Sequence, residues 1–600
     1  ARAVAVAKEL VAMGYNLCAT RGTAAALEEA GISWRIYQNE ISYPSGLDEN
    51  QRPWVSNFTN NPLEWFDQYS VGFRKTGREF MQQIAKTLPD EIRSLDEKIA
   101  TASDAELTRL QREKKNKAEL LEQVHLSQKK YTDAAFEKLT PREKSLHRNA
   151  FYSNDNDPHY REVTPLRYRD NGEDRELLMP SGDLFHEFRK DVDSGKLPAV
   201  SWLIAPGAFS DHPGYPWYGA WYLSEAIRIL TKNPEIWKKT IFILTYDEND
   251  GYFDHVPPFI APDIRKQETG KTSSGIDASV EYWPLERDRK KHPVKEARGG
   301  SIGLGFRVPL VIASPWSRGG NVCSEVFDHT SVLQLMENVL SHKTGKQIRE
   351  PNISTWRRAV CGDLSSSFLP YRSKDKENLN FHNKEQVLEG IHKAKFKQLP
   401  SGFRKLSQDE LAQYRKNQRS FSWMPQQETG TRPATALPYQ LYANGKISAD
   451  KKSFEISLVS RKDFFRERTA GSPFHVYTPG KFRNRLDLRV RHYAVETGQQ
   501  ISESWALEGF DNSRYHLNIC GPNGFLREFR GSTTDPMIEI QCDYSQKGDA
   551  PTGNISLTIS SQDQRPHRIS FRDHAYGEKT SSFNLKPGSK KVIPLNLQKS

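Results

Sequence analysis

The sequence predicts a mixed α/β chain: a mainly parallel sheet with a helical insertion, followed by two β-sandwich domains. Three observations carry this. Up to about residue 365, long apolar strand patterns alternate with amphipathic helices. Within that region, residues 76–148 are rich in Lys, Glu, Leu and Ala and almost free of Gly and Pro. After residue 436 the pattern turns to short alternating strands separated by Gly, Asn, Pro and Asp.

Residues 2–13 place apolar side chains at helical spacing, and Gly14 ends the run. A short strand, a Thr/Gly turn and a helix lead into the strand ISWRIYQ (32–38). In the insertion, Ile92, Leu95 and Ile99 form one stripe, and Leu107, Leu110, Leu120, Leu121 and Val124 a second. This spacing predicts an antiparallel excursion of two or three helices. Its charge run reads as a solvated helix face with i,i+4 pairs rather than a nucleic-acid surface. AVSWLIAP (199–206), TIFILTYDE (240–248) and FRVPLVIASPW (306–316) are buried-strand patterns, each followed by a helix or loop. Residues 366–435 are polar and read as a linker. The tail reads as two diverged copies of one unit, 436–533 and 534–600, with Ile456 and Ile555 in corresponding places.

The chain has 600 residues, a formal net charge of +11 and five cysteines. No stretch approaches the roughly 20 apolar residues of a membrane-spanning helix. The odd, scattered cysteines argue against a disulfide framework and a Cys-based zinc site. There is no GxSxG elbow, Walker loop, strand-linked GxGxxG or HExxH, so serine-hydrolase, NTPase, dinucleotide and zincin chemistries lack support.

The informative segment runs from Thr245 to His255, where a buried strand ends. Ligand sites in open α/β sheets lie beyond carboxyl ends of strands. Asp247 and Glu248 are adjacent acids there, followed by Asp250, Asp254 and His255. Hard oxygen ligands with imidazole suit a divalent metal or a phosphate-handling site. Asp211/His212 and Asp328/His329 follow two other strands. Three Asp-His pairs predict one shared site at one sheet edge, each carboxylate able to orient its imidazole. Of Tyr215, Trp217, Tyr218, Trp221 and Tyr222, some should pack in the core, while others could face a quaternary ammonium group.

At these residues the chain resembles the bacterial phosphocholine-type phospholipase C family, similar in turn to the acid phosphatases of the alkaline-phosphatase-like superfamily. The resemblance is carried by LEEAGISWRIYQ (27–38), NPLEWFDQY (61–69), LPAVSWLIAPGAFSDHPGYPWYGAWY (197–222), TYDENDGYFDHVPP (245–258), GFRVPLVIASPWSRGG (305–320), FDHTSVLQLMEN (327–338), EPNISTWRRAVCGDL (350–364) and GPNGFLREFRG (521–531). It implies an alkaline-phosphatase-like catalytic domain over 24–365 and hydrolysis of phosphatidylcholine- or sphingomyelin-type lipids to release phosphocholine. It places a divalent metal on Asp247 and Glu248, puts His212 on the phosphate, and sets His255 and His329 near the reaction. It further implies a phosphocholine-containing lipid substrate, a peripheral membrane surface as partner, no nucleic acid, and a secreted or periplasmic location. A phosphomonoesterase of acid-phosphatase type and a non-catalytic lipid- or choline-binding protein are the competing readings.

Two departures accompany the resemblance. The family's ENRSFDHYFG-like metal segment and its Gly-Pro-[ST]-x-P-N-R-like nucleophile segment are not found, and both are expected before residue 24. The chain alone is therefore expected to be nearly inactive. Residues 5–31 instead resemble the end domain of carbamoyl-phosphate synthase large chains, making 1–23 a foreign start. The second tail repeat is expected to be cut short.

Overall fold

The computed structural model describes Leu27 and residues 31–371, 380–422, 426, 429–480, 482–485, 489–548, 550–574, 576 and 580–597. The helix expected over 2–13 and the start over 1–23 lie outside these residues. The chain divides into two compact units. Unit 1 comprises Ala1–Phe242 with Arg372–Thr431, and unit 2 Ile243–Tyr371 with Arg432–Ser600.

Unit 1 is built on strand β1 (Trp34–Gln38), whose aromatic and β-branched side chains are covered on both faces. It pairs in parallel with β2 (Tyr152–Ser153) on one side. On the other, Trp34 to Tyr37 face Val200 to Leu203 of the parallel strand β5 (Val200–Leu203). The hairpin β3 (Val163–Asp170) and β4 (Glu173–Pro180) stands apart from this sheet. Between β1 and β2 run α1 (Lys75–Thr101) and α2 (Asp104–Lys130), joined by two residues. Lys117 reaches Glu91 at 2.6 Å and Lys114 pairs with Asp96, so the two helices are antiparallel. The insertion is helical throughout, ending in α3 (Pro141–Ala150) with a Thr140/Glu143 capping box. α4 (His186–Asp193) and α5 (Gly219–Lys232) close the core, in which Tyr37, Phe185, Phe209, Trp221, Ile229 and Leu388 pack together. Leu388 lies on the helix Lys384–His392 and is fully buried. The stretch read as a linker thus contributes to the core, because its polar composition hides one apolar helical face.

Unit 2 begins with β6 (Phe242–Thr245), the strand that crosses the boundary between units. It pairs with β10 (Leu310–Ala313) in a two-stranded sheet. Between them lie β7 (Gly270–Thr272) and the small pair β8 (Tyr282–Trp283) and β9 (Gly300–Ser301). α6 (His329–Thr344) follows. Among the described residues β5 pairs with β1, and β6 with β10. β5 and β6 are each only four residues long. Such an apolar pattern announces burial without specifying a neighbour.

The tail contains β11 (Leu441–Ile447), β12 (Ser453–Ser460), β13 (Ser472–Tyr477), β14 (Val490–Val495), β15 (Gln500–Ala506), β16 (Arg514–Cys520) and β17 (Leu526–Ser532). These form two facing sheets around Leu458, Phe474, Val476, Tyr493, Trp505 and Leu517. β18 (Ile538–Lys547), β19 (Ala550–Ser561), β20 (His567–Phe571), β21 (Ser581–Leu585) and β22 (Lys590–Leu595) repeat the order of the first five. β18, β19 and β22 extend the first sheet, giving the order β15-β12-β11-β18-β19-β22, joined where Gly445 faces Ile540. β20 and β21 form a hairpin of their own. The other tail sheet, β17-β16-β13-β14-β7, recruits β7 as a parallel edge strand.

Candidate active site

The apolar strand β6 ends beside β10, where the Tyr246 N–H donates to the Pro309 carbonyl at 3.2 Å. Asp247 and Glu248 follow and are both exposed. His329, the first residue of α6, sets its Nε2 2.9 Å from the Tyr246 carbonyl, one residue before Asp247. A carbonyl only accepts, so Nε2 carries the hydrogen of this contact.

The placement of His329 has an identifiable support. Asp328 caps α6, accepting from the Thr330 N–H at 2.9 Å and the Thr330 hydroxyl at 2.6 Å. Its other oxygen accepts from Arg357 at 2.6 Å. Arg357 also donates to Glu281 at 2.9 and 3.0 Å, and Ser354 donates to the same carboxylate at 2.7 Å. Burial opposes the Arg357 charge, but Glu281 and Asp328 hold its pKa above the usual guanidinium value.

The loop after Glu248 turns at Asp250 and Gly251, both left-handed (φ 48° and 78°). Asn249 closes the turn with bonds of 2.7 and 2.8 Å to Tyr252. Beyond it, Arg307 clamps the Asp254 carboxylate through Nε and, at 3.0 Å, through Nη2. The guanidinium holds this carboxyl well below the usual carboxylate range. His255 lies 3.1 Å from Asp254 through Nδ1, with 87% of its side chain exposed.

His212 belongs to unit 1, beyond β5. The chain passes through a single turn, Gly207–Phe209, to Asp211, which is left-handed at φ 61°. Asp211 accepts from the Gly219 N–H at 2.7 Å, at the start of α5. A Cβ on Gly219 would stand 2.8 Å from that carboxylate. His212 is exposed and meets the Phe58 ring edge-on, centroids 5.3 Å apart. Of the neighbouring aromatics, Tyr218, Trp221 and Tyr222 are buried in the unit 1 core, whereas Trp217 is 74% exposed.

Asp211 accepts at the start of one helix and Asp328 caps another, while Asp254 lies against its own histidine. The structure brings Asp247, Glu248 and His329 to the end of β6, carries His255 further along the following loop, and places His212 at the end of β5 in the other unit. Arg307, Arg357 and Glu281 were missed. Arg307 and Arg357 stand in GFRVP and STWRR, motifs that carry no acid or histidine. Among the described residues, no group of three or more His, Cys, Asp or Glu is placed to hold a metal ion.

Residues 96–341 match the Phosphoesterase family. Residues 433–532 match the bacterial phospholipase C C-terminal domain, and residues 2–88 match the MGS-like domain. The chain is 36% identical to the non-hemolytic phospholipase C of Burkholderia pseudomallei, over 69% of this chain and 53% of that protein. It is 34% identical to the non-hemolytic phospholipase C of Pseudomonas aeruginosa, over 69% and 54%. With the hemolytic phospholipase C of the same organism the figures are 33%, 67% and 52%. The chain thus spans about half the length of the curated relatives it matches.

Proposed function

We propose that this chain is part of a phospholipase C that hydrolyses the phosphodiester of phosphocholine-bearing lipids, releasing phosphocholine. The observation that carries this is the end of β6, where two adjacent carboxylates leave the strand beside an imidazole anchored on the preceding carbonyl. His329 is poised to accept or return a proton at Nδ1. The Arg357 network holds it in place. Arg307 keeps Asp254 ionised, and Asp254 orients His255 as a second proton carrier. His212, exposed beside Phe58, is the group for the phosphate. The family reading adds a divalent cation at Asp247 and Glu248. These two would supply part of its coordination. A secreted or periplasmic location and a membrane-borne substrate follow from the same reading.

The test compares two chromogenic substrates, p-nitrophenyl phosphocholine and p-nitrophenyl phosphate. It uses this chain and the chain extended to the length of its relatives. The diester should be preferred, and Asp247→Asn should lower kcat/KM by at least about 100-fold, on the scale of losing one electrostatic group in a site. Preference for the monoester would favour the phosphatase reading. No turnover by the extended protein would leave a binding protein.

A further inference from the structure

We propose that the loop 393–405 is a docking surface for anionic lipid membranes. The sequence there, KAKFKQLPSGFRK, carries five cations and no acid. Its two ends are anchored within unit 1. On one side, the helix Lys384–His392 buries Leu388, and His392 accepts or donates at 2.6 Å to the Tyr168 hydroxyl. The Arg175 guanidinium lies 3.9 Å over the Phe396 ring. On the other side, Ser407 and Glu410 form the capping box of the helix Gln408–Lys416, and Arg404 is clamped to Glu410 at 2.6 and 2.8 Å.

What projects between these anchors is unlike ordinary surface. Leu399 is 83% and Phe403 88% exposed. Gly402 takes a left-handed φ of 73° between them. Lys393 is engaged by Glu389 at 2.5 Å and Arg404 by Glu410. Lys395, Lys397 and Lys405 are exposed and have no ion pair among the described residues. Large apolar tips set among uncompensated cations suit an interface with a negative surface and an apolar interior. The cations meet headgroups while Leu399 and Phe403 enter the acyl boundary. A nucleic acid would satisfy the cations and leave Leu399 without a partner. A protein groove would need a matching acidic rim.

The proposal rests on the lipid-substrate reading for its biological sense, and the probe is chosen so the two fail separately. The 600-residue chain is mixed with vesicles of phosphatidylcholine alone or with 30% phosphatidylglycerol (about a third anionic lipid, enough for a strong surface potential) and sedimented. Phosphatidylglycerol carries no phosphocholine, so its effect on partition is independent of hydrolysis. The wild-type chain should partition at least about tenfold more strongly onto the anionic vesicles, with the preference shrinking as salt rises. Leu399→Ser with Phe403→Ser should lower that partition about tenfold or more. Lys395→Glu with Lys397→Glu and Lys405→Glu should abolish the anionic preference. Both sets lie on exposed side chains, so unchanged thermal melts are expected and confirm folding. Equal partition of wild type and both variants would overturn the proposal. So would a Leu399/Phe403 variant that changes the oligomeric state in solution without changing vesicle binding, since the loop would then join copies of this chain. Intact vesicle binding with no hydrolysis of a soluble phosphocholine ester by the extended protein would strike only the catalytic reading.

Discussion

The two tail repeats share their ladder register but not their burial. In repeat one, Ile456 faces Gly445 and Glu503, and Leu458 faces Ala443 and Ile501. In repeat two, Ile555 faces Tyr544 and Leu595, and Leu557 faces Cys542 and Ile593. The hairpins correspond too: Phe474 faces Tyr493 as His567 faces Leu585. Yet Leu458 is fully buried, whereas Leu557 is only half-buried. Repeat one adds β16 and β17 beside β13 and gains β7 beside β14. The hairpin β20–β21 has no third strand among the described residues. Local pattern and turn spacing thus set register, while burial depends on strands supplied from elsewhere.

Truncating equivalent leucines breaks this comparison most sharply. Leu458→Ala should cost about 2–5 kcal/mol, as large-to-small changes in packed cores do. Leu557→Ala should cost about 1 kcal/mol, scaled to its smaller buried area. Urea midpoints measured on both would check this, and equal losses would show that repeat two is as well packed as repeat one.

Acid should also separate the repeats. In repeat one, the His475 Nε2 accepts from the Ile260 N–H at 3.3 Å, its Nδ1 lies 3.1 Å from the Tyr477 hydroxyl, and Phe259 and His492 pack on its ring. Burial pushes His475 down to about 3, helped by the neighbouring His492, and burial alone brings His492 to about 4. Both are neutral when folded, whereas the unfolded chain protonates them below about 6.5. Their contribution is therefore intact above pH 6.5 and is lost as pH falls towards 4. The loss should be about 2–3 kcal/mol for the two together by pH 5.5, at about 1.4 kcal/mol per unit each. The corresponding residues in repeat two are Arg568 and Asn584. Hydrogen exchange at pH 5.5 should loosen β13 and β14 without a matching change in β20 and β21. A flat pH response in His475→Gln with His492→Gln would confirm the source.

The smallest effect concerns the recruited strand. Gly270 has φ 122°, and a Cβ there would overlap the His492 carbonyl. Gly270→Ala should cost about 1–3 kcal/mol through strain at a glycine-only conformation. Protection should be lost in β7 and β14 but not in repeat two.

Much of this was legible. Alternation in SFEISLVS announced a half-buried strand, and the burial of Phe454, Ile456 and Leu458 follows it. The Lys/Glu/Leu segment announced helices. The carboxylates after TIFILTYDE announced the end of β6. What was not legible was pairing. β7 is three residues, Gly-Lys-Thr, held by backbone bonds to β14 that carry no side-chain signature. The linker's buried face rests on Leu388 with few apolar companions. The Asp of each Asp-His pair looked like a partner for its neighbour, but a carboxylate beside a helix start has a nearer set of donors in the backbone. Arg307 and Arg357 act on residues more than 25 positions away, beyond what spacing along the chain can show.

The strand β7 also bears on how such a protein can be divided. Trp356, Ala359 and Cys361 share one apolar cluster with Ala494 of β14, and a Cβ on Gly471 would overlap the Ala359 carbonyl. The boundary near residue 435, where the amino-acid composition changes, is therefore not a place to cut. A protease or a recombination event acting there would strip a strand from one sheet and open the cluster under Trp356. The same cut would loosen the Phe259–Ile260 anchor that follows the Asp247 loop.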